Sequence, residues 1–137
     1  MVAATEITAG GLFATPAWIT RRATHALRGD VMLKGGITGM MKIAHIAEAF
    51  GLPSEIHDGF NALGNAACLH VAMAIPNCSM FEVLTINPTG EYGIGHLSYG
   101  LTSPIEFDEA WNVVAPTKPG IGFDIDWELI HSSGSAS

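Results

Sequence analysis

Four short apolar segments begin roughly every 24 to 27 residues, and helix-like segments fill the gaps between them. Ala3 to Ile7 opens the series. Thr15-Pro16 reads as an N-cap with proline at the first helical position, and the helix runs to about Leu27, ahead of Gly29. Asp30 to Leu33 is the second strand. Gly35-Gly36 turns the chain, Thr38 caps, and Met40 to Phe50 is helical, with Gly51 as its stop and Pro53 beyond. Ser54 to His57 is the third strand. A loop rich in Gly59, Asn61, Gly64 and Asn65 leads to a helix over Ala66 to Ala74, and Met80 to Leu84 is the fourth strand. Strand and helix in strict alternation mean helical crossovers and a parallel sheet, an α/β chain with helices on its outer face. The 137 residues make one domain, about half of the ~250 that a complete (β/α)8 barrel takes. Residues 1–96 are thus expected to form half-barrel βα units.

The alternation ends after Leu84. Pro88, Gly90, Gly93, Gly95 and Gly100 precede Ile105-Glu106-Phe107, and Pro116 to Gly122 holds two prolines and two glycines. Residues 97–131 read as a loop-rich tail that packs on the barrel or on a capping region, and residues 132–137, small and polar, as disordered.

Charged residues are only 14% of the chain, against roughly 25% in ordinary soluble domains, which predicts self-association or a partner. The balance of 6 Lys and Arg against 13 Asp and Glu gives a net charge of -7, and Arg21-Arg22 is the densest basic spot. Nucleic acid is excluded as a partner on that ground. Ala66 to Ile75 is too short to cross a bilayer, and no Lys or Arg precedes Arg21 as a secretory signal requires. A cytoplasmic protein without membrane contact is expected. Cys68 and Cys78 read as reduced thiols.

In parallel α/β folds, reactive groups collect where strands end and loops begin. Glu6, Asp30, His57 and Glu82 stand at equivalent places in four successive units, so they are expected to converge on one mouth. Lys34 shares a strand face with Asp30 by period two and is a candidate for holding a substrate anion. Asp124, Asp126 and Glu128 alternate like the wet face of a strand, and Trp18, Trp111 and Trp127 read as packing residues.

The run GDVMLKGGITGMMKIAHIAEAFGLPSEIHDGF, followed by HVAMAIPNCSMFE, resembles the barrel domain of the enolase superfamily, in its mandelate racemase and muconate lactonizing enzyme group. The likeness reaches back through Glu6 and forward through PTKPGIGFDID. It implies the C-terminal half of a TIM-type (β/α)7β barrel, from strand five onward. It also implies roles. Glu6 matches a carboxylate that binds Mg2+, although Thr5 stands where the family commonly has glycine. Asp30 and His57 match a dyad in which histidine is the general base and aspartate orients it. Glu82 matches an acid that hydrogen-bonds the carboxylate end of the substrate.

Removing a proton alpha to a carboxylate adds negative charge to a group already anionic, so a hard cation is needed on those oxygens. The family's other two metal carboxylates and its second-strand lysine have no counterpart in this chain, so the Mg2+ site is expected to be incomplete here. The substrate class implied is a small carboxylate or sugar acid. Dehydration is preferred, because one histidine can serve first as base and then as acid, whereas racemisation needs a base on each face. Racemase or epimerase activity is the alternative. A further alternative is a catalytically incomplete half-barrel that only assembles, as a homo-oligomer or with a complementing N-terminal half, since its open edges and interior need cover.

Overall fold

The structure, a computed structural model, describes residues 1–58, 61–82 and 95–134. The chain divides into two compact units, one formed by Met1–Asp58 and Ala67–Glu82, the other by Gly59–Ala66 and Val83–Ser137.

In the first unit, β1 (Ala3–Ala4), α1 (Gly11–Thr20), β2 (Ala26–Gly29), α2 (Gly36–Ala49) and β3 (Ser54–Ile56) alternate, and α3 (Ala62–Ala74) follows, belonging to this unit from Ala67 on. The three strands form a parallel sheet in chain order, β1-β2-β3. Ala4 pairs with Leu27, Leu27 with Ser54, and Gly29 with Ile56. A parallel bridge from Ile56 to Phe81 sets the fourth strand position beside β3, and the rest of the expected fourth strand, Val83-Leu84, lies outside the described residues. This is the strand order of a barrel arc, each parallel step made through a helix.

Strand β1 is shorter than expected, at Ala3–Ala4, α2 and α3 each begin four residues early, and two further differences are larger. Asp30 to Leu33 is not a strand: β2 ends at Gly29, and Asp30 begins a turn. The cause is local. Asp30 Oδ1 accepts the Met32 N–H at 2.6 Å, and its carbonyl accepts those of Leu33 and Lys34, an Asx turn that overrides the apolar Val-Met-Leu run. The first helix likewise runs Gly11–Thr20 instead of Thr15 to Leu27. Gly10 takes φ 88° at its N-cap, so the helix starts before Pro16. Arg22 at φ 50° closes it, with the Ala23 N–H reaching back to the Trp18 carbonyl.

The entry to α2 needs its glycines. Gly35 and Gly36 sit at φ 81° and 72°, and a Cβ on Gly39 would lie 1.9 Å from the Lys34 carbonyl oxygen. From there Met40, Ile43, Ala44 and Ala47, spaced i, i+3, i+4, i+7, bury one face against Leu27, Val31, Ile56, Cys68 and Val71. Each large side chain fully buried here contributes about 1.5–3 kcal/mol. Trp18 packs on this core, whereas Trp111 and Trp127 are exposed. Cys68 and Cys78 are free thiols, and burial pushes Cys68 up to about 12.

In the second unit, Leu97 and Ile105 are buried and the Asn65 side chain donates to the Leu97 carbonyl at 3.1 Å. Antiparallel bridges join Leu101 to Ile125 and Phe107 to Val113. Helix α4 (Trp127–Gly134) is capped by Asp126, whose Oδ1 accepts the Leu129 N–H at 2.9 Å. Asp124 pairs with Lys118 and Glu128 sits in the first turn of α4, so these acids are not one face of a strand. The helix also carries Ser132 and Ser133, expected to be disordered, with their hydroxyls on the Leu129 carbonyl. Residues 135–137, Pro88, Gly90 and Gly93 lie outside the described residues. No helix among the described residues is long and apolar enough to cross a membrane.

Candidate active site

The register of the sheet decides what meets at its C-terminal end. Gly29 opposes Ile56, so the next residues along, Asp30 and His57, leave adjacent strands side by side, and the His57 N–H is fixed to the Gly29 carbonyl at 2.8 Å. His57 Nδ1 lies 3.1 Å from Asp30 Oδ2, and the Asp30 side chain is only 1% exposed. His57 Nε2 lies 2.9 Å from Glu6 Oε1 and 4.0 Å from Glu82 Oε2. All four strand-end residues expected to converge do so. The ring does not, however, leave Nε2 turned to an open mouth: both its nitrogens face carboxylates. A carboxylate only accepts, so an imidazole with a proton on each nitrogen satisfies both contacts.

A cation that sequence reasoning missed ties the group together. Arg28 donates through Nε to Glu6 Oε2 at 2.9 Å and through Nη2 to Glu82 Oε2. Its signal was present but misplaced: with the strand set at Ala26–Gly29, Arg28 falls two residues before Asp30, on the period that shares a face.

Lys34 is in the turn after β2, not on a strand face with Asp30. It is 4% exposed, and its Nζ donates to the Thr8 carbonyl at 2.8 Å, with Thr8 Oγ1 at 3.5 Å. Burial lowers its pKa, and the Glu6 carboxylate acts the other way. Lys34 thus holds the turn that carries Glu6. Thr5 anchors the other end of that turn. Its Oγ1 donates to the Arg28 carbonyl at 2.8 Å and accepts the Arg28 N–H at 3.3 Å, with its own backbone at φ 91°. A positive φ at this position accounts for the advantage of glycine there.

Asp58, next to His57, was also missed, and no spacing marks it. It is 1% exposed, and neither carboxyl oxygen has a hydrogen-bond partner among the described residues. Burial, then the charges of Glu82 and Asp30, push its pKa up to about 7 against the pull of Arg28.

Glu6 offers the hard oxygen donors that Mg2+ takes, but both are occupied by Arg28 and His57. Among the described residues no three His, Cys, Asp or Glu side chains gather as a metal-holding group. These residues by themselves do not fit the ion, which wants near-octahedral oxygen coordination.

A sequence profile described as enolase C-terminal domain-like matches residues 1–129. The chain belongs to that family. Like other enolase C-terminal domain-like proteins, it is part of a TIM-type barrel of the enolase superfamily. D-galactonate dehydratase of Xanthomonas oryzae pv. oryzae is 32% identical over 101 residues, 74% of this chain and 26% of that protein. D-glucarate dehydratase from Agrobacterium tumefaciens, solved with magnesium, superposes with a TM-score of 0.78 at 37% identity, over 95% of this chain and 32% of that one. A mandelate racemase/muconate lactonizing enzyme-like protein from Rubrobacter xylanophilus shares the fold, with a TM-score of 0.76 at 22% identity over 95% of this chain and 31% of that one. The chain spans about a quarter of the length of the curated relatives it matches.

Proposed function

We propose that this chain is the His57-bearing portion of an acid-sugar dehydratase, and that His57 removes the proton alpha to the substrate's carboxylate. The observation that carries the reading is the 3.1 Å contact between His57 Nδ1 and the buried Asp30 carboxylate. That contact fixes the ring and stabilises the charge it gains, which is the division of labour a histidine base requires.

Chemistry starts when Glu6 leaves Nε2 and the nitrogen, unprotonated, meets the substrate's alpha carbon. The proton passes to Nε2, the beta hydroxyl departs with a proton returned by the same imidazolium, and water is released. The enol left behind ketonises to a 2-keto-3-deoxy acid. Glu82, 4.0 Å from Nε2, is placed to hold the carboxylate end of the substrate through a shared proton or a bridging donor. Lys34 supports this site by fixing the Glu6 turn. Mg2+ would supply positive charge against the carboxylate as its charge grows, and Glu6, once released from Arg28 and His57, is the residue of this chain that would join its ligands.

His57 is the one histidine among the described residues to meet these acids, and a single histidine acting first as base and then as acid suits dehydration. The test is alpha-proton exchange in D2O, followed by proton NMR, with the whole enzyme that carries this chain and D-galactonate or D-glucarate as substrate. His57→Asn is expected to abolish exchange and water loss together. Unchanged exchange in that variant removes the mechanism.

A further inference from the structure

We propose that Arg28 is a positioning residue: before substrate enters, its guanidinium is the counter-cation that cross-links Glu6 and Glu82 and so fixes both acids beside the imidazole of His57. The role is additional to the dyad and rests on the reading of His57 as the proton carrier.

The geometry that points to it spans the sheet. Glu6 follows β1, Arg28 is on β2, His57 follows β3 and Glu82 follows the bridge at Phe81, so one side chain from the second strand reaches acids that stand on its two sides. Nε binds Glu6 Oε2 at 2.9 Å while Nη2 binds Glu82 Oε2. The other oxygen of Glu6 lies on His57 Nε2. The chain of contacts is therefore Glu82 to Arg28 to Glu6 to His57 to Asp30, with three acids around one imidazole. Acids this close disfavour one another's ionised forms unless a cation lies between them. Among the described residues, Lys34 also approaches the site, but it is spent on Thr8.

A guanidinium suits the task because it is planar, always charged and donates from several edges at once, whereas an ammonium is a single point charge. Arg28 is also fixed at its own backbone, since its N–H and carbonyl both bond Thr5 Oγ1. The disagreement between Glu6 and a magnesium site resolves in the same terms: in this arrangement Arg28 supplies the positive charge that Glu6 and Glu82 need to stand together.

The experiment uses the 137-residue chain at neutral pH without divalent cations, labelled with 15N at arginine and 13C at glutamate carboxyl carbons. In the unaltered chain, Glu6→Gln is expected to shift the Glu82 carboxyl carbon and to weaken the Arg28 Nε–H signal. In an Arg28→Gln background the same Glu6→Gln change should leave Glu82 unmoved. Arg28→Lys should transmit less than arginine does. Methyl signals of Leu27, Met40 and Ile56 report whether the core persists, which a purely structural role would disturb first. Glu82 unmoved by Glu6→Gln in the unaltered chain overturns the proposal, and so does an equal shift in the Arg28→Gln background. Should Arg28→Gln unfold, transmission through lysine equal to that through arginine overturns it instead. No substrate takes part, so failure here leaves the exchange test of His57 standing.

Discussion

His57 Nδ1 and Asp30 Oδ2 meet at 3.1 Å across 27 residues of sequence because Gly29 and Ile56 are register partners in adjacent parallel strands. Asp30 is doubly fixed, its other oxygen taking the Met32 N–H at 2.6 Å. The carboxylate therefore keeps its place whether or not the ring is charged, and its work is orientation and charge stabilisation. In the enzyme that carries this chain, His57→Asn should remove proton transfer, worth about 10^2 to 10^4 in rate. Asp30→Asn should slow alpha exchange less, because the base remains. Exchange rates of the two variants, measured side by side, check the order.

Thr5 makes an unusual prediction about glycine. At φ 91° a β-branched residue is strained, at a cost on the order of 1–3 kcal/mol, and two hydrogen bonds from Oγ1 to the Arg28 backbone offset it. Thr5→Ala loses the bonds and keeps the strain. Thr5→Gly loses the bonds and relieves it. Glycine should therefore be the better tolerated of the two by roughly 1 kcal/mol, the reverse of the usual order. Urea unfolding of both variants measures the difference.

The sheet and the four strand-end residues were legible in the sequence because parallel βα units repeat at near-constant length, and equivalent places in a repeat land at one end of the sheet. What was not legible has local causes. The Asx turn at Asp30 looks like a strand, since Val31, Met32 and Leu33 are all apolar, and that shift hid Arg28 and gave Lys34 a strand face it does not have. The closure of α1 at Arg22 lacks the glycine that usually marks it. Asp58 carries no pattern because its property, burial with no partner among the described residues, exists only once the chain is folded.

Gly39 links the entry of α2 to the site. Alanine is ordinarily the better helix residue by about 1 kcal/mol, but here its Cβ would stand 1.9 Å from the Lys34 carbonyl oxygen. The backbone around Lys34 must shift, and with it the hold of Lys34 on Thr8 and the Glu6 turn. Gly39→Ala should destabilise the chain by about 1–3 kcal/mol, as overpacking does. Unfolding midpoints test the stability, and loss of protection of the Thr8 amide region in hydrogen exchange tests the link.

Asp58 gives the chain a pH dependence of its own. Its carboxyl is held near 7 in the fold, above the ~3.9 of an unfolded aspartate, so between those values the folded state binds more protons than the unfolded one. Stability from this group is then present below about pH 4 and is lost as pH rises through 7. Burial is the largest cause, and Glu82 and Asp30 add to it while Arg28 opposes. Asp58→Asn keeps the shape and cannot ionise. It should match the unaltered chain below about pH 4, lead it by about 1–2 kcal/mol at pH 5 and by ~4 kcal/mol at pH 8, for a shift of this size. All other groups titrate in both proteins, so the difference between their urea midpoints isolates this one carboxyl. A difference that stays flat from pH 5 to pH 8 would mean that Asp58 titrates in the fold as it does in the unfolded chain.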